Sequence, residues 1–303
     1  AYRQAVQTQL IATIANSYYS LLMLDAQLDI SERTAANWGE NVRAMKALKA
    51  AGDATELAVA QSEASKLSVD ASIASLRQQI DQMENTLTAL LGIAPQKIDR
   101  TTIGEQRFPT ELAAGVPLQL LQRRPDVRQS EAALAQAFYA TNAARAAFYP
   151  SITLSGSAGW TNAAGAAITN PGQWLFTAVG SLVQPLFNRG KNIANLRIAK
   201  AQQEEALLSF RQSLLDAGTD VNNALIQWQT ARQRQQIDQQ QILSLESTVR
   251  SSELLMQYSS QNYLEVLTAR QTLLQAELTA VSDRFDEIQG VINLYHALGG
   301  GAE

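Results

Sequence analysis

The segment from about Tyr263 to Leu298 carries a seven-residue repeat of apolar residues along its whole length. Two series share this spacing, with Gln271 as the one polar member: Leu267, Leu274, Val281, Ile288 and Tyr295, and Leu264, Leu278, Phe285 and Ile292. A spacing of seven keeps one seam of a helix against a partner helix over many turns. The segment therefore predicts a long coiled-coil helix.

The pattern of this helix occurs twice in the chain. A shift of 207 positions places Leu57 on Leu264, and the identities continue through Val59 and Val266, Leu67 and Leu274, Ser75 and Ser282, Gln82 and Gln289, Leu87 and Leu294, and Leu91-Gly92 and Leu298-Gly299. With one residue of further shift, Tyr2-Arg3-Gln4 falls on Phe210-Arg211-Gln212, so the preceding helices correspond as well. The sequence predicts a mainly α fold of long antiparallel coiled-coil hairpins in two tandem repeats.

Composition excludes several classes of protein. With 17% charged and 46% hydrophobic residues, the 303-residue chain is too apolar to be disordered, and no apolar run is long enough to form a transmembrane helix. The net charge of −4, without a basic block interleaved with aromatics, gives no reason to expect a nucleic-acid partner. The long periodic segments favour one elongated body over two compact domains.

The residues that could support catalysis or cofactor binding are few. The chain has no cysteine, and His296, its single histidine, is interpreted as a helix-end residue rather than a catalytic one. Asp216 and Asp220 lie one helical turn apart and could share a site, although such surface pairs are ordinarily solvated. We therefore predict no enzyme activity, no metal site and no cofactor.

Between Tyr149 and Phe187 the periodicity changes from helical to a period of two. The polar residues Ser151, Thr153, Ser155 and Ser157 alternate with Ile152, Leu154, Gly156 and Ala158. A small-residue loop leads to a second strand, from about Trp174 to Leu186. The pattern fits a strand pair of a membrane β-barrel, with Trp160 and Trp174 at one end and Tyr149 and Phe187 at the other, or a hairpin at the edge of a soluble sheet.

The chain is predicted to divide into five segments. They are a first helical hairpin with its turn at Gly52-Asp53 (1–92), a polar connector (93–123), a helix that starts at Arg124-Pro125-Asp126 (124–148), a β-hairpin (149–187) and a second helical hairpin (188–303). The helix from about 190 to 257 would be on the order of 100 Å long. No compact domain is so long, so this helix is expected in a bundle or a tube.

Five motifs in order resemble the TolC-like outer-membrane efflux proteins, and most closely the outer-membrane lipoproteins of resistance-nodulation-division (RND) pumps. They are Arg124-Pro125-Asp126-Val127-Arg128, Phe148-Tyr149-Pro150-Ser151-Ile152, Gln184-Pro185-Leu186-Phe187, the run Tyr263-Leu264-Glu265-Val266-Leu267-Thr268-Ala269-Arg270, and Leu294-Tyr295-His296-Ala297-Leu298-Gly299-Gly300. The resemblance implies a homotrimer whose protomers build one barrel in the outer membrane above a periplasmic tunnel of paired helices. It also implies that a lipidated cysteine, a helix and a first β-hairpin precede Ala1.

The resemblance further implies partners and site residues. A periplasmic adaptor would contact the helical tips, and an inner-membrane RND-type pump would supply the energy to expel small molecules such as drugs. The tip residues would be Ala51, Gly52, Asp53 and Thr55 in the first repeat and Ser260, Gln261, Asn262 and Tyr263 in the second. Leu264, Glu265 and Thr268 would lie at the closed aperture, and Thr153, Ser155 and Ser157 would face the barrel lumen.

Two questions stay open at the level of sequence. Relatives often carry an aspartate at the position of Thr268, so the gate uses another acid such as Glu265, or apolar and hydrogen-bonding contacts. The rival to an outer-membrane duct is a soluble coiled-coil scaffold or periplasmic adaptor, which explains the helical hairpins but not the strand pair with its hydroxyl stripe and aromatic ends.

Overall fold

The computed structural model describes residues 2–108, 123–161, 173–184, 189–258 and 263–301. Within these ranges the α-helices are α1 (Tyr2–Ala51), α2 (Glu56–Leu91), α3 (Pro125–Ala146), α4 (Lys191–Tyr258) and α5 (Tyr263–Ala297). The strands are β1 (Ser151–Thr161) and β2 (Gln173–Val183), and a short 3-10 helix covers Ile103–Glu105. The predicted helices and strands are confirmed, although β2 ends before the predicted Leu186.

The chain forms two compact units. One unit contains Ala1–Asp126 and Leu215–Glu303, and the other contains Val127–Leu214. Helix α4 contributes its first part to the second unit and the remainder to the first unit. The two units are described separately.

Helices α1 and α2 pair through a series of apolar layers. Near the connector end, Leu21 and Leu24 of α1 pack with Leu76 and Ile80 of α2. The next layer holds Trp38, Val69 and Ile73, and the last holds Met45, Ala58 and Val59. Apolar residues three and four apart on each helix make one continuous stripe, and burying that stripe stabilises the pair.

Helix α5 packs on this pair along the predicted heptad seam. Ile288 and Ile292 are buried with Ala12 and Leu22 of α1, and Leu267 and Leu274 contact the Trp38 layer. The two ends of the repeat differ from the prediction, because Leu264 and Tyr295 are 51% and 54% exposed. The seam is therefore covered by partner helices in the middle of α5, and the seam residues at its two ends are exposed.

The tandem repeat is visible in the structure. Val59 and Val266 are both buried one turn inside their helices, and so are Leu87 and Leu294 near the ends. Gly92 and Gly299, which follow the two helices, both adopt left-handed backbone with φ of 69° and 77°. A residue with a Cβ is strained in this conformation, so the shared Leu-Gly end terminates both helices in the same way.

The connector is fixed to the first helical pair by one arginine. Arg100 forms ion pairs with Asp25 of α1 and Glu84 of α2, and its Nη1 also donates to the carbonyl of Ile98 at 3.0 Å. These hydrogen bonds, first of all the one to Asp25, raise the pKa of Arg100 further above its ordinary value. Ile103 then inserts its side chain beside Ile288 and Ile292.

In the second unit, hydroxyl groups join α3 to the first part of α4. Thr141 is buried and donates to the carbonyl of Ala199 at 3.1 Å, and the hydroxyls of Ser130 and Ser213 lie 2.7 Å apart. At the strand end of the unit, Asn192 donates to the carbonyl of Ala147 at 3.0 Å. The strands follow α3 directly through Tyr149 and Pro150.

Candidate functional site

The first helical tip is a tight, exposed turn. Gly52 has φ of 89°, and the backbone N–H groups of Gly52 and Asp53 donate to the carbonyls of Lys49 and Leu48 at 3.0 and 2.9 Å. The Thr55 hydroxyl then accepts from the N–H of Ala58 at 3.2 Å and caps α2. The four predicted tip residues Ala51, Gly52, Asp53 and Thr55 are all exposed, so this turn offers an accessible surface.

The second tip is described only from Tyr263 onward. The predicted tip residues Ser260, Gln261 and Asn262 lie outside the described residues. The ring of Tyr263 packs against the buried cluster of Met45, Ala58 and Val59, and its hydroxyl donates to the side-chain oxygen of Gln61. Tyr263 thereby connects the start of α5 to the start of α2. These two helices are equivalent in the tandem repeat.

The predicted aperture residues follow in the first two turns of α5. Leu264, Glu265 and Thr268 are exposed, and Val266 between them is buried. The hydroxyl of Thr268 donates to the carbonyl of Leu264 at 2.9 Å within the helix. Leu57, the repeat equivalent of Leu264, is exposed too, so each tip presents one leucine to its surroundings.

The β-hairpin has two chemically different faces. In the register, Thr153 pairs with Ser181, Ser155 with Val179 and Ser157 with Thr177 on one face. The opposite face pairs Ile152 with Leu182, Leu154 with Gly180, Gly156 with Ala178 and Ala158 with Phe176. Ile152 and Leu154 are 81% and 80% exposed, so the apolar face is open along its length.

The predicted aromatic ends agree with the strand register. Trp160 pairs with Trp174 across the two strands. This agrees with the prediction that both tryptophans lie at the same end of the hairpin. Tyr149, two residues before the start of β1, is exposed. Phe187 lies outside the described residues. Aromatic residues at the two ends of an apolar band are typical of strands at membrane interfaces.

Asp220 is one of the two carboxylates that were considered for catalysis, and it is bound to an arginine side chain. Asp220 accepts from Nη2 of the buried Arg124 at 2.9 Å, and the same arginine contacts Asp126 and the carbonyl of Ala297. Burial lowers the pKa of Arg124, and the hydrogen bonds to Asp126 and Asp220 raise it more, so the net change is upward. Asp220 thus pairs with a helix-start arginine.

A polar layer between α4 and α5 was not predicted from the sequence. Arg234 contacts Asp283 at 3.0 Å and Asp286 at 2.7 Å, and Gln235 donates to Glu287 at 2.8 Å. Asp238 and Asp283 are both buried. The signal that could have found this layer is the interruption of the apolar stripe of α4 after Ala231.

None of the described helices combines the length and the apolarity that a membrane-spanning helix needs. The described residues also contain no group of three or more histidine, aspartate or glutamate side chains arranged to hold a metal ion.

A long-helix repeat with accessible tips and a two-faced strand pair defines a class of envelope proteins. The family model for outer membrane efflux proteins matches residues 1–93 and 116–300. The chain belongs to the outer membrane efflux protein family. The predicted family, the mainly helical fold class with its β-hairpin, and the outer-membrane location are thereby confirmed.

Individual relatives support the assignment. The chain is 30% identical over 99% of its length to the cation efflux system protein CusC of Escherichia coli O6:H1. It is 32% identical over 99% of its length to the pyoverdine export outer membrane protein OpmQ of Pseudomonas putida. A crystal structure of CusC superimposes with a TM-score of 0.89 at 30% identity, covering 99% of this chain and 70% of that one. The chain spans 65% of the length of the CusC relative and 63% of that of OpmQ.

Proposed function

We propose that this chain forms part of the wall of a passive exit duct in the outer membrane. The duct carries small molecules outward from an inner-membrane pump and a periplasmic adaptor. In this proposal, segments 1–92 and 188–303 build the helical tunnel, 93–123 surrounds its middle, 124–148 continues the wall, and 149–187 enters the membrane. The duct has no catalytic step, since the driving free energy comes from the pump.

The observation that carries the proposal is the open apolar face of the β-hairpin. Ile152, Leu154, Phe176 and Leu182 would expose their side chains to water if the hairpin stood alone, and such a hairpin is marginally stable. Among the described residues each strand pairs only with the other, so backbone groups on the outer edges need further strands. Lipid against the apolar face and strands from other copies of the chain at the edges meet both needs.

The opposite face suits a water-filled lumen. Thr153, Ser155 and Ser157 carry small hydroxyl side chains, which hold water without blocking a passage. Three copies of the chain arranged around an axis would place these hydroxyls toward the centre. The homotrimer of the family is therefore the assembly that we propose.

The helical tips are the proposed adaptor contact. The exposed turn from Ala51 to Thr55 ends in the side-chain cap of α2, which gives it a defined backbone geometry that suits a surface on which another protein docks. Ser260, Gln261, Asn262 and Tyr263 would complete that surface in the second repeat. An adaptor opens the duct only as far as it binds the open state more tightly than the closed state.

For the gate, we propose that apolar and hydrogen-bonding contacts act together with an acid other than residue 268, because Thr268 is uncharged. The Thr268 hydroxyl is bound within its own helix, and Leu264 is exposed one turn earlier. We propose that Leu264 narrows the aperture, that Glu265 supplies the negative charge there, and that the bond from Tyr263 to Gln61 holds the closed position.

The cargo is proposed to be broad. The names of the relatives refer to cations in one case and to pyoverdine in another, although their identities to this chain are similar. A lumen lined by hydroxyls does not select strongly among small polar molecules. The pump and the adaptor would therefore determine what is expelled.

Cysteine labelling in a planar lipid bilayer tests the proposal. The chain has no cysteine, so Ser155→Cys and Leu154→Cys each introduce one reactive thiol, on opposite faces of β1. A charged, membrane-impermeant thiol reagent should lower the conductance of the Ser155→Cys protein and leave the Leu154→Cys protein unchanged. Equal responses of the two neighbours, or no conductance from either protein with the tips opened by mutation, would contradict the duct.

A further inference from the structure

Two buried carboxyl groups face each other between α4 and α5. Asp238 of α4 is 7% exposed and Asp283 of α5 is 5% exposed. Asp283 contacts Arg234, which lies one helical turn from Asp238 on α4, so the two carboxyl groups share one buried layer. Among the described residues, the Oδ2 atom of Asp238 has no hydrogen-bond donor. Two ionised carboxylates cannot donate to one another, and a proton on either of them would supply the missing donor.

The surrounding charges do not neutralise this pair. From α4, Arg234 contacts Asp283 at 3.0 Å, but it shares the same nitrogen with Asp286 at 2.7 Å. From α5, Arg284 pairs with Glu287 and donates to the carbonyl of Gln106 at 2.7 Å. Among the contacts of the described residues, this layer brings together four carboxylates, on Asp238, Asp283, Asp286 and Glu287, and the guanidinium groups of Arg234 and Arg284.

The third helix at this level contributes a neutral contact. From α1, Gln27 donates to the hydroxyl of Ser282 at 3.1 Å. The nearby acid on α1, Asp25, is engaged by Arg100. No further cation from α1 reaches the carboxyl pair among the contacts of the described residues.

We propose that Asp283 is protonated under mildly acidic conditions and donates this proton in a hydrogen bond to Asp238, and that the shared proton tightens the pairing of α4 with α5. The two helices then form a pH-sensitive joint within one chain. When the proton leaves, two negative charges face each other in a buried layer, and the joint loosens. The inference rests on contacts inside a single chain and does not depend on the proposed function.

The electrostatics of Asp283 give the pH range of the joint. Burial raises the pKa of Asp283 from 3.8 to about 6, Asp238 and Asp286 raise it as well, and Arg234 opposes them. Because the folded-state pKa is above the unfolded one, the folded state binds the proton more tightly. The stability from the shared proton is therefore present in acid and is lost as the pH rises through about 6.

Asparagine at either position tests this inference, because its amide donates as the protonated acid does and does not ionise. In the full chain, Asp283→Asn should raise the thermal midpoint at pH 7.5 by about 2–6 °C. It should also remove the excess stability that the unmodified chain gains between pH 7.5 and pH 5. Asp238→Asn, on the other helix, should have the same effect, which keeps the test valid if one variant fails to fold.

Asp286→Asn is the matched control. It removes a carboxylate that contacts the same Arg234 nitrogen at a half-exposed position outside the carboxyl pair. It should retain most of the pH dependence between 5 and 7.5. The shared proton would be refuted if the unmodified chain and the Asp283→Asn and Asp238→Asn variants all changed in parallel with pH.

A distance measurement separates a joint from a general effect of pH on stability. Spin labels attached through cysteines at the exposed positions Gln239 and Thr279 report the separation of α4 and α5 beside the carboxyl pair. The distance distribution should broaden between pH 5 and pH 7.5 and should stay narrow in the Asp283→Asn background. A distribution that broadens equally in both proteins, or in neither, would overturn the proposal.

Discussion

The two helical pairs of the first unit, α1 with α2 and α4 with α5, are the two copies of the tandem repeat, and they differ in what lies between their helices. Between α1 and α2 the contacts are large apolar side chains, among them Leu21, Trp38 and Ile80. Between α4 and α5 the backbones come close at Gly290, where an added Cβ would lie 2.9 Å from the backbone of Trp228, and a layer of arginine and carboxylate side chains follows toward the tip. The first pair is held by burial of large apolar side chains. The second pair also buries apolar side chains, such as Ala224 and Ala231 of α4, and it adds close backbone contact and charge.

This difference indicates which pair responds to its surroundings. Burial of apolar area changes little with pH or salt, whereas a buried layer with excess carboxylates is sensitive to both. The first pair is therefore expected to be the fixed part of the unit, and the second pair the adjustable part.

Removing the largest apolar contact of the first pair should have the largest effect. Trp38 is 2% exposed and contacts Val69 and Ile73 of α2 and Leu267 of α5. Trp38→Ala should lower the free energy of unfolding by about 3–5 kcal/mol, because it leaves a cavity that helices cannot easily close. Urea unfolding followed by circular dichroism measures the change.

Leu67→Ala is the control for Trp38→Ala. Leu67 lies on α2 but is 65% exposed, so the loss should stay within about 0.5 kcal/mol. Similar losses at the two positions would show that the apolar layers of the first pair do not dominate its stability.

The first pair also contains a charged contact, and its burial should make it strong. Arg100→Ala leaves Asp25 and Glu84 without their cation, and the Glu84 side chain is only 8% exposed. We expect a loss of about 3 kcal/mol, since an unpaired buried carboxylate is costly. Arg77→Ala breaks the exposed ion pair with Glu32 and should cost under about 1 kcal/mol. Equal losses in urea unfolding of the two variants would contradict this role of burial.

Glycine substitutions compare backbone packing in the two pairs directly. A Cβ at Gly290 would lie 2.9 Å from the backbone nitrogen and Cα of Trp228, so Gly290→Ala must push α5 away from α4. It should cost about 1–3 kcal/mol. At Gly39 of α1 the nearest atom to such a Cβ is the end of the Lys66 side chain at 3.9 Å.

Gly39→Ala should therefore act in the opposite direction. Alanine favours the helix over glycine by about 0.5–1 kcal/mol, and nothing at Gly39 obstructs its methyl group. Thermal unfolding of both variants measures the two signs. If both substitutions stabilised the chain, close backbone contact could not be what holds the second pair.

The smallest effect is expected where the two pairs meet at their tips. Tyr263→Phe keeps the ring in the Met45 cluster and removes the hydroxyl that donates to Gln61. The loss should be about 1 kcal/mol, typical of one hydrogen bond. If this bond holds the closed position, conductance in a planar bilayer should rise as well.

A double substitution checks that the hydrogen bond is responsible. Gln61→Ala alone should resemble Tyr263→Phe, and the two changes together should add little to either one. Fully additive effects on unfolding and on conductance would mean that the two residues act independently.

Local features of this chain were predictable because they depend on spacing along the sequence. Helix boundaries followed from three-four periodicity and from turn residues such as Gly52. The strands followed from strict alternation after Tyr149, and the pairing of Trp160 with Trp174 followed from their positions at the strand ends. The predicted roles of the tip, aperture and lumen residues stay predictions, and Ser260, Gln261, Asn262 and Phe187 lie outside the described residues.

The family could also be predicted from the sequence, because its motifs lie at the ends of the helices and strands. The repeat itself predicted that Gly92 and Gly299 would end equivalent helices, and both adopt the left-handed backbone. The heptad pattern did not reveal that Leu264 and Tyr295 would be exposed. Periodicity gives the face on which a residue lies, but it does not give the length over which a partner covers that face.

The helices, the strand pair, the tandem repeat and the family could be predicted from the sequence alone. Each depends on residues that are close together in the chain or on their order. The tertiary structure was needed to show that Arg100 joins α1 to α2 and that Asp238 and Asp283 lie in the same buried layer. Those contacts depend on the axial position of one helix relative to the other. A shift of one helical turn would separate these charged residues from their partners. Many sequences with the same periodicity allow several such shifts, so the positions of the buried charges follow from packing rather than from pattern.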